Sequence, residues 1–550
     1  MNVTQQGVSA RSAPPQRSAE AEDPPEDPQI PLRSRWWSRL AHLGVFALVA
    51  EVALVHLGTA DAAPDEFVYR TCGQAYVHGL FTCNLEHPPL AKEILGVGSL
   101  VFGDSLSAAR ATTALVAIAT AYCCYLFCRD VAGRAAGLVA ATMWGLLPQV
   151  GIESGTTLEA VRIDRFALLD PYVACFVALA LVAGARLTRR GGRGWAVLLG
   201  AAVAAAACAK APGALIAPVA CLVPLAVRKC RGQRIARDGA FVASGAIAIA
   251  IASYGPLGPS GAVRAIRYMF DFQTAHAARE VVVGGHFYVS APWWADLAFA
   301  TSALGVSVAI ALLVLAGVGL TCDRGPSGYA LAVAASVEVG VGFGAHLSAP
   351  HYFIDWEPGV VVAAALGLVG LARAALAGRN AFGTPPDPRR ALSSGPRVRA
   401  LVAAAATVAA AAVLSTGVVR TISAANTLQR GPYASAALAM QCERTCFVAY
   451  VGYLDVYASY VPRFEYLLAV PPSARNGHVT ARVLSGGRRS FVEPDVVAID
   501  PAAFVLHGSW RRSIEYFEAH WRALGYERVP ARSRIEIFRL RSSPAFRRSP

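Results

Sequence analysis

Residues 194–227 read GWAVLLGAAVAAAACAKAPGALIAPVACLVPLAV, an Ala-rich run in which Lys210 is the one charged side chain. About 20 apolar residues carry a helix across the bilayer core, so the run suffices for two crossings provided that it turns midway. Lys210-Ala-Pro-Gly213 supplies the turn, because Pro and Gly punctuate helices. A tight hairpin is therefore expected between spans at 194–209 and 212–227. Outward from there, apolar runs at 39–60, 108–128, 133–150, 166–187, 238–254, 294–319, 328–346, 358–376 and 399–419 complete a set of about 11 transmembrane helices. The fold class expected is an all-α polytopic membrane protein. Its spans look nearly free of charge, with Glu51 and Glu338 as the exceptions.

Composition points the same way. The chain has 550 residues, 55% hydrophobic and 16% charged, with a mean hydropathy of +0.44. Soluble domains run nearer a quarter charged, so a cytosolic protein and a largely disordered one are both excluded. The net charge of +14 could suggest nucleic acid, but the basic residues sit between apolar runs, which is a membrane arrangement. With the N-terminus inside, about 23 Lys/Arg fall on the cytoplasmic side and about nine in the outer loops before the tail. Arg186, Arg189, Arg190 and Arg193 form one such inner cluster, and Arg228, Lys229, Arg231, Arg234 and Arg237 another. An odd number of spans then puts everything after residue 420 outside, at a plasma (inner) membrane. Residues 1–35, rich in Pro, Ser, Glu and Arg, read as a disordered cytoplasmic arm rather than a cleavable leader. Trp36 and Trp37 fit the headgroup belt.

Of the 12 cysteines, Cys72 and Cys83 share the first outer loop and Cys442 and Cys446 share the tail. Disulfides persist outside such a membrane, so Cys72–Cys83 is expected as a staple; Cys442–Cys446 depends on local geometry. No Cys/His spacing argues for structural zinc. Residues 430–550 read as a small extracytoplasmic α/β domain. Strands are expected at 446–451, 464–470, 479–483, 496–499 and 535–540, with a helix over 511–525 capped by Ser509 and stopped by Gly525.

The chemistry concentrates in the loop 61–93, which holds Asp61, Asp65, Glu66, Tyr69 and Arg70, then Glu86, His87, Lys92 and Glu93. Adjacent carboxylates diverge on any regular backbone, so one of the Asp65-Glu66 pair can face a reactant while the other faces a support. Desolvation at the rim of an apolar cavity raises a carboxylate's basicity, which suits a general base. A solvated acidic loop is the plainer reading of any single Asp-Glu pair.

Asp65-Glu66 followed by Glu86-His87-Pro88-Pro89-Leu90-Ala91-Lys92 resembles the polytopic GT-C glycosyltransferases that use polyprenyl-phosphate sugars. Within them it is most similar to glycosyltransferase family 39, the protein O-mannosyltransferases, and to the aminoarabinose transferases. Further islands of resemblance are Arg162-Ile-Asp-Arg165 through Asp170-Pro171, Lys210-Ala-Pro-Gly213, the aromatic stretch His286-Phe-Tyr288 through Trp294, and Pro350-His351-Tyr352. Together they span the transmembrane domain, residues 36–420.

The resemblance implies a sugar, mannose- or pentose-like, passing from a polyprenyl-phosphate donor to a protein, lipid or glycan hydroxyl by inverting single displacement. It implies Asp65 as catalytic base with Glu66 beside it. His87, Lys92, Arg162, Arg165, Lys210, His351 and Tyr352 are implied around the donor phosphate, a developing anion that needs cations and hydrogen-bond donors. Glu86 matches a residue that helps hold a divalent metal in the aminoarabinose branch, and His286 is a candidate second ligand. That branch carries an Arg three residues after its Asp, where this chain has Val68, leaving Arg70 unmatched. A transporter or lipid translocase is the alternative, but transporters place ionisable residues mid-span and show repeated halves, and no repeat is apparent. A scaffold with a partner-binding outer domain is a third reading. No nucleic-acid partner is expected.

Overall fold

The computed structural model describes residues 32–149, 152–153, 156–157, 162–275, 281–284, 286–382, 395–425, 435–436, 439–440, 446–451, 464–468, 481–485, 488–500, 515–531 and 534–543. Its helices are α1 (Leu32–Leu54), α2 (Pro64–Val77), α3 (Leu90–Phe102), α4 (Leu106–Ala132), α5 (Arg134–Leu146), α6 (Asp170–Arg190), α7 (Arg193–Ala209), α8 (Ala217–Cys230), α9 (Ile235–Tyr254), α10 (Gly258–Ala275), α11 (Ala295–Leu304), α12 (Val306–Cys322), α13 (Arg324–Glu338), α14 (Glu357–Phe382) and α15 (Gly395–Ala425). The chain divides into residues 1–44 and 45–550. In the first unit Trp36 and Trp37 are exposed and the Arg39 guanidinium lies 5.8 Å from the Trp36 ring.

Eight helices among the described residues are long and apolar enough to cross a membrane, or nine with α11 and α12 taken as one span bent by 112°. The bend falls at Gly305, whose φ of +85° an L side chain resists. Two of the expected spans fall short of that test. α5 has 13 residues, a rise of about 20 Å, against a hydrocarbon core of about 30 Å, and α7 has 17. α7 stops at Ala209, a 3₁₀ turn covers Ala211–Ile216, and α8 follows, so the helix breaks at Lys210-Pro212-Gly213.

Small residues let the helices approach closely, as they do in membranes. A Cβ on Gly200 would lie 1.8 Å from the Val242 carbonyl and one on Gly245 2.0 Å from that of Val197, so α7 and α9 meet backbone to backbone. Gly319 and Gly367 do the same for α12 and α14. α6 runs through the middle of the bundle, with Val173, Val177, Leu181 and Leu187 fully buried.

Short antiparallel ribbons join β1 (Ile152–Glu153) to β2 (Thr156–Thr157) and β3 (Val281–Val283) to β4 (His286–Tyr288). The C-terminal region forms a seven-stranded sheet from β5 (Cys446–Val451), β6 (Phe464–Leu468), β7 (Ala481–Ser485), β8 (Arg488–Val492), β9 (Val496–Ile499), β10 (Tyr526–Val529) and β11 (Glu536–Leu540). Their order is β10-β11-β9-β5-β6-β7-β8, with β5 parallel to β6 and β9 and the other pairs antiparallel. β8 and β10 were not among the expected strands. Among the described residues the helix covers 515–520, ending before the expected 525, and Gly525 closes the following turn at φ +86°. Phe517 is buried edge-on against Tyr526 and Phe538. Ser509 and Cys442 lie outside the described residues.

Candidate functional site

α2 begins at Pro64, a residue preset for the first helical position, and its first turn carries Asp65 and Glu66 where the helix dipole favours negative charge. The two carboxylates part ways as expected, but the second is a structural node. Glu66 is wholly buried and accepts from Arg110 Nε at 2.9 Å, Arg110 Nη2 at 2.7 Å, the Ala63 N–H at 2.8 Å and the Ala167 N–H at 2.7 Å. Arg110, from α4, also donates to the carbonyls of Leu57, Ala60 and Asp61 at 2.8, 2.9 and 2.6 Å, and its guanidinium lies 4.4 Å from the Phe166 ring centroid. With four donors already in place, Glu66 has no capacity left for a reactant. Expected beside Asp65 as a catalytic group, it instead ties α2 to α4 and to the segment before α6.

Asp65 is half-buried and accepts a hydrogen bond from the Tyr69 hydroxyl, one turn along α2, at 3.3 Å. The Tyr69 ring is buried and stands edge-on to His87, centroids 5.7 Å apart. Burial, followed by the charges of Asp65 and Asp170, pushes the Tyr69 phenol well above its usual range, so it remains a donor.

The loop carrying His87 is held from three directions. Cys72 on α2 is bonded to Cys83, with Cα atoms 5.3 Å apart, and the Tyr76 hydroxyl donates to the Cys83 carbonyl at 2.8 Å. Lys92, buried in the first turn of α3, donates to the Asn84 carbonyl, to Asn84 Oδ1 at 3.3 Å and to the His87 carbonyl at 2.9 Å. α2 and α3 touch through glycine, since a Cβ on Gly96 would sit 2.2 Å from the Gly73 carbonyl oxygen.

A second group closes the site. Lys210 pairs with Asp170 at the start of α6, Nζ to Oδ1 2.5 Å, and its ammonium lies 3.7 Å from the Tyr352 ring centroid. His351 Nε2 is 3.6 Å from the other oxygen of Asp170, and its ring stands edge-on to Tyr352. Asp355 is buried nearby, and burial together with the Asp170 charge pushes its carboxyl well above the carboxylate range.

Tyr69 links the two groups, touching Asp65 and His87 and feeling the charges of Asp170 and Tyr352, while three expected phosphate cations are engaged elsewhere. Lys92 clamps its loop. Arg162 forms a two-pronged pair with Asp164, Nε–Oδ1 3.0 Å and Nη2–Oδ2 2.5 Å, and donates to the Leu147 carbonyl. Arg165 donates to the carbonyls of Val52 and Val55, the end of α1. Buried guanidinium groups need such partners because an unpaired charge is costly. Arg70 lies 5.7 Å over the Phe67 ring, and its buried Nε has no hydrogen-bond partner among the described residues.

The structure does not gather the expected metal ligands into a donor set among the described residues. Glu86 accepts from Asn84 Nδ2 at 2.6 Å, its carbonyl accepts from Gln273 at 3.1 Å, and His286 is exposed on β4. Among the described residues no three His, Cys, Asp or Glu side chains gather into a donor set.

Arg110 and Tyr69 are the principal residues that sequence reasoning left without a role. Arg110 falls within the expected span 108–128, which was read as uncharged; a lone Arg in an apolar run needs a partner, and that was the signal available.

Residues 86–254 match the family model described as dolichyl-phosphate-mannose-protein mannosyltransferase. No curated protein matches the chain by sequence. Among solved structures, ArnT from Cupriavidus metallidurans in the apo state aligns with 94% of this chain and 100% of its own at 16% identity and a TM-score of 0.57. The same protein bound to undecaprenyl phosphate gives the same coverage and identity at 0.55. The oligosaccharyltransferase AglB from Archaeoglobus fulgidus aligns with 78% of this chain and 64% of its own at 12% identity and 0.45. The resemblance read from the sequence is borne out: the chain has the polytopic fold of ArnT.

Proposed function

We propose that this chain, a polytopic membrane protein with the fold of the GT-C glycosyltransferases, moves a sugar from a polyprenyl-phosphate carrier to an acceptor hydroxyl at the outer face of the membrane. The observation that carries the reading is Asp65, held at the head of α2 by the hydroxyl of Tyr69, whose ring touches His87 and lies within electrostatic reach of Asp170 and Tyr352. Asp65 takes the acceptor's proton as its oxygen attacks the anomeric carbon, and the bond to the carrier phosphate breaks with inversion. The released phosphate is met by His87, Lys210, His351 and the Tyr352 hydroxyl, cationic and donor groups placed where negative charge develops. Lys92, Arg162 and Arg165 support the walls. The fold likeness to ArnT, solved with undecaprenyl phosphate, supports a polyprenyl carrier, and the partial family match supports mannose over a pentose.

The N-terminus lies in the cytoplasm, and the Asp65 loop and the C-terminal sheet lie outside an inner or plasma membrane. The Cys72–Cys83 bond supports this orientation, because disulfides persist on the oxidising side. The seven-stranded sheet, with residues 430–550, acts as an accessory domain. The test is to incubate membranes holding the protein with labelled polyprenyl-phosphate mannose and, separately, an arabinose-type donor, and to follow label into protein, lipid or glycan. Transfer lost in Asp65→Asn at an unchanged folded level is the expected outcome. Transfer retained in that variant removes Asp65 from the role.

A further inference from the structure

Tyr69 stands where the two halves of the site meet. Its hydroxyl donates to Asp65 Oδ2 at 3.3 Å, its ring is 4% exposed, and Asp170 and Tyr352 lie within electrostatic reach of it. At 3.3 Å the bond is longer than the usual O–H···O range of about 2.5–3.0 Å, as catalytic hydrogen bonds often are before substrate arrives. The geometry points to Tyr69 as the positioning residue for Asp65: its hydroxyl fixes the carboxylate's rotamer and holds the anion that receives the acceptor's proton. This rests on Asp65 being the base.

Three observations carry the assignment. Tyr69 follows Asp65 by four residues on α2, the spacing at which helical side chains touch. The ring cannot swing away, because His87 stands edge-on to it and the His87 backbone is itself held by Lys92. The phenol stays protonated at every working pH, since burial and the carboxylates around it oppose its ionisation. The groups around the Tyr69–Asp65 pair are His87 from the loop before α3, Asp170 with its partner Lys210, and Tyr352 with His351 from the turn before α14. Lys210 and His351 flank Asp170, and among the described residues the Tyr69 hydroxyl is the side-chain donor seen on Asp65.

A donated hydrogen bond favours the ionised carboxylate. Its removal should therefore move the acid limb of the rate profile up. The experiment measures kcat and KM from pH 4 to 9 with labelled polyprenyl-phosphate mannose, or with the arabinose-type donor if that is the one used. Wild type, Tyr69→Phe and Asp65→Asn are compared in the full-length protein. Tyr69→Phe should lower kcat about 10- to 100-fold, leave the donor KM within about threefold, and move the acid limb up by about one pH unit. Replacing Tyr69 with 3-fluorotyrosine, a stronger donor of the same shape, should move the limb down; this arm also covers a Phe variant that fails to fold. An inactive Asp65→Asn with an unmoved limb in both Tyr69 variants overturns the Tyr69 assignment alone. An active Asp65→Asn overturns the reading on which it rests.

Discussion

Arg110→Met tests the node that holds α2. The substitution keeps a long apolar side chain within α4 but removes five hydrogen bonds, two to Glu66 and one each to the carbonyls of Leu57, Ala60 and Asp61. Glu66, wholly buried, is left with the N–H groups of Ala63 and Ala167 and without its hydrogen-bonded counter-charge, keeping only the non-bonded charges of Arg70 and Arg165. Stranding a buried charge in this way costs about 3–5 kcal/mol, and each orphaned carbonyl adds about 1 kcal/mol or more. Because domains are stable by only about 5–15 kcal/mol, the variant should be near its unfolding threshold at growth temperature. Glu66→Leu alone strands the guanidinium instead and should cost a similar amount. The double variant Arg110→Met with Glu66→Leu strands neither charge, so it should lose less than the sum of the singles, with a coupling of about 2–3 kcal/mol. The measurement is denaturant or thermal unfolding of the purified protein in one fixed detergent or nanodisc, read as a double-mutant cycle. Single variants each within 1 kcal/mol of wild type, or a strictly additive double, would refute the argument.

Gly96→Ala should separate α2 from α3, because the new Cβ would lie 2.2 Å from the Gly73 carbonyl, a main-chain atom that cannot rotate away. Overpacking of this kind costs about 1–3 kcal/mol, and transfer should fall with stability; a variant with wild-type unfolding and rate would mean that the helices are not in register at these glycines. Burial pushes the Glu93 carboxyl up to about 7, against the partial relief given by Lys92. The folded state thus keeps a proton that the unfolded chain has lost, and stability should decline as pH rises from about 4.5 to 7. Glu93→Gln should flatten that decline, leaving stability at pH 5 unchanged and improving it at pH 8; a slope identical to wild type would assign the pH dependence to other groups.

The bundle was legible because twenty-residue apolar runs have few alternative fates, and the ends of α4, α6, α8, α14 and α15 fall close to the reading. α5 and α7 exposed its weakness. Hydropathy alone does not distinguish a full crossing from a short helix packed within the bundle, and both α5 and α7 are well buried against neighbours. Asp65 and the loop 81–89 stood out because charge beside a membrane is costly and therefore conspicuous. The partner that engages Glu66 was not legible, since Arg110 lies 44 positions away on another helix. Nor could spacing reveal that Lys92, Arg162 and Arg165 point into main-chain carbonyls or a neighbouring carboxylate, because a cation's type says nothing about its direction. In the tail, β8 and β10 are rich in Arg and Glu, and their polar residues hid the alternation that marks a half-buried strand.

The cations that frame Asp65 grip peptide oxygens: Arg110 at 57, 60 and 61, Arg165 at 52 and 55, Lys92 at 84 and 87. A carbonyl is offered by every amino acid alike, so the hold itself does not depend on which side chains stand at 57 and 60. Each cation, by contrast, is irreplaceable in length and charge. Pairwise covariation across an alignment would consequently be silent about these attachments, and an engineer could rewrite positions 57 and 60 while leaving the three grips alone.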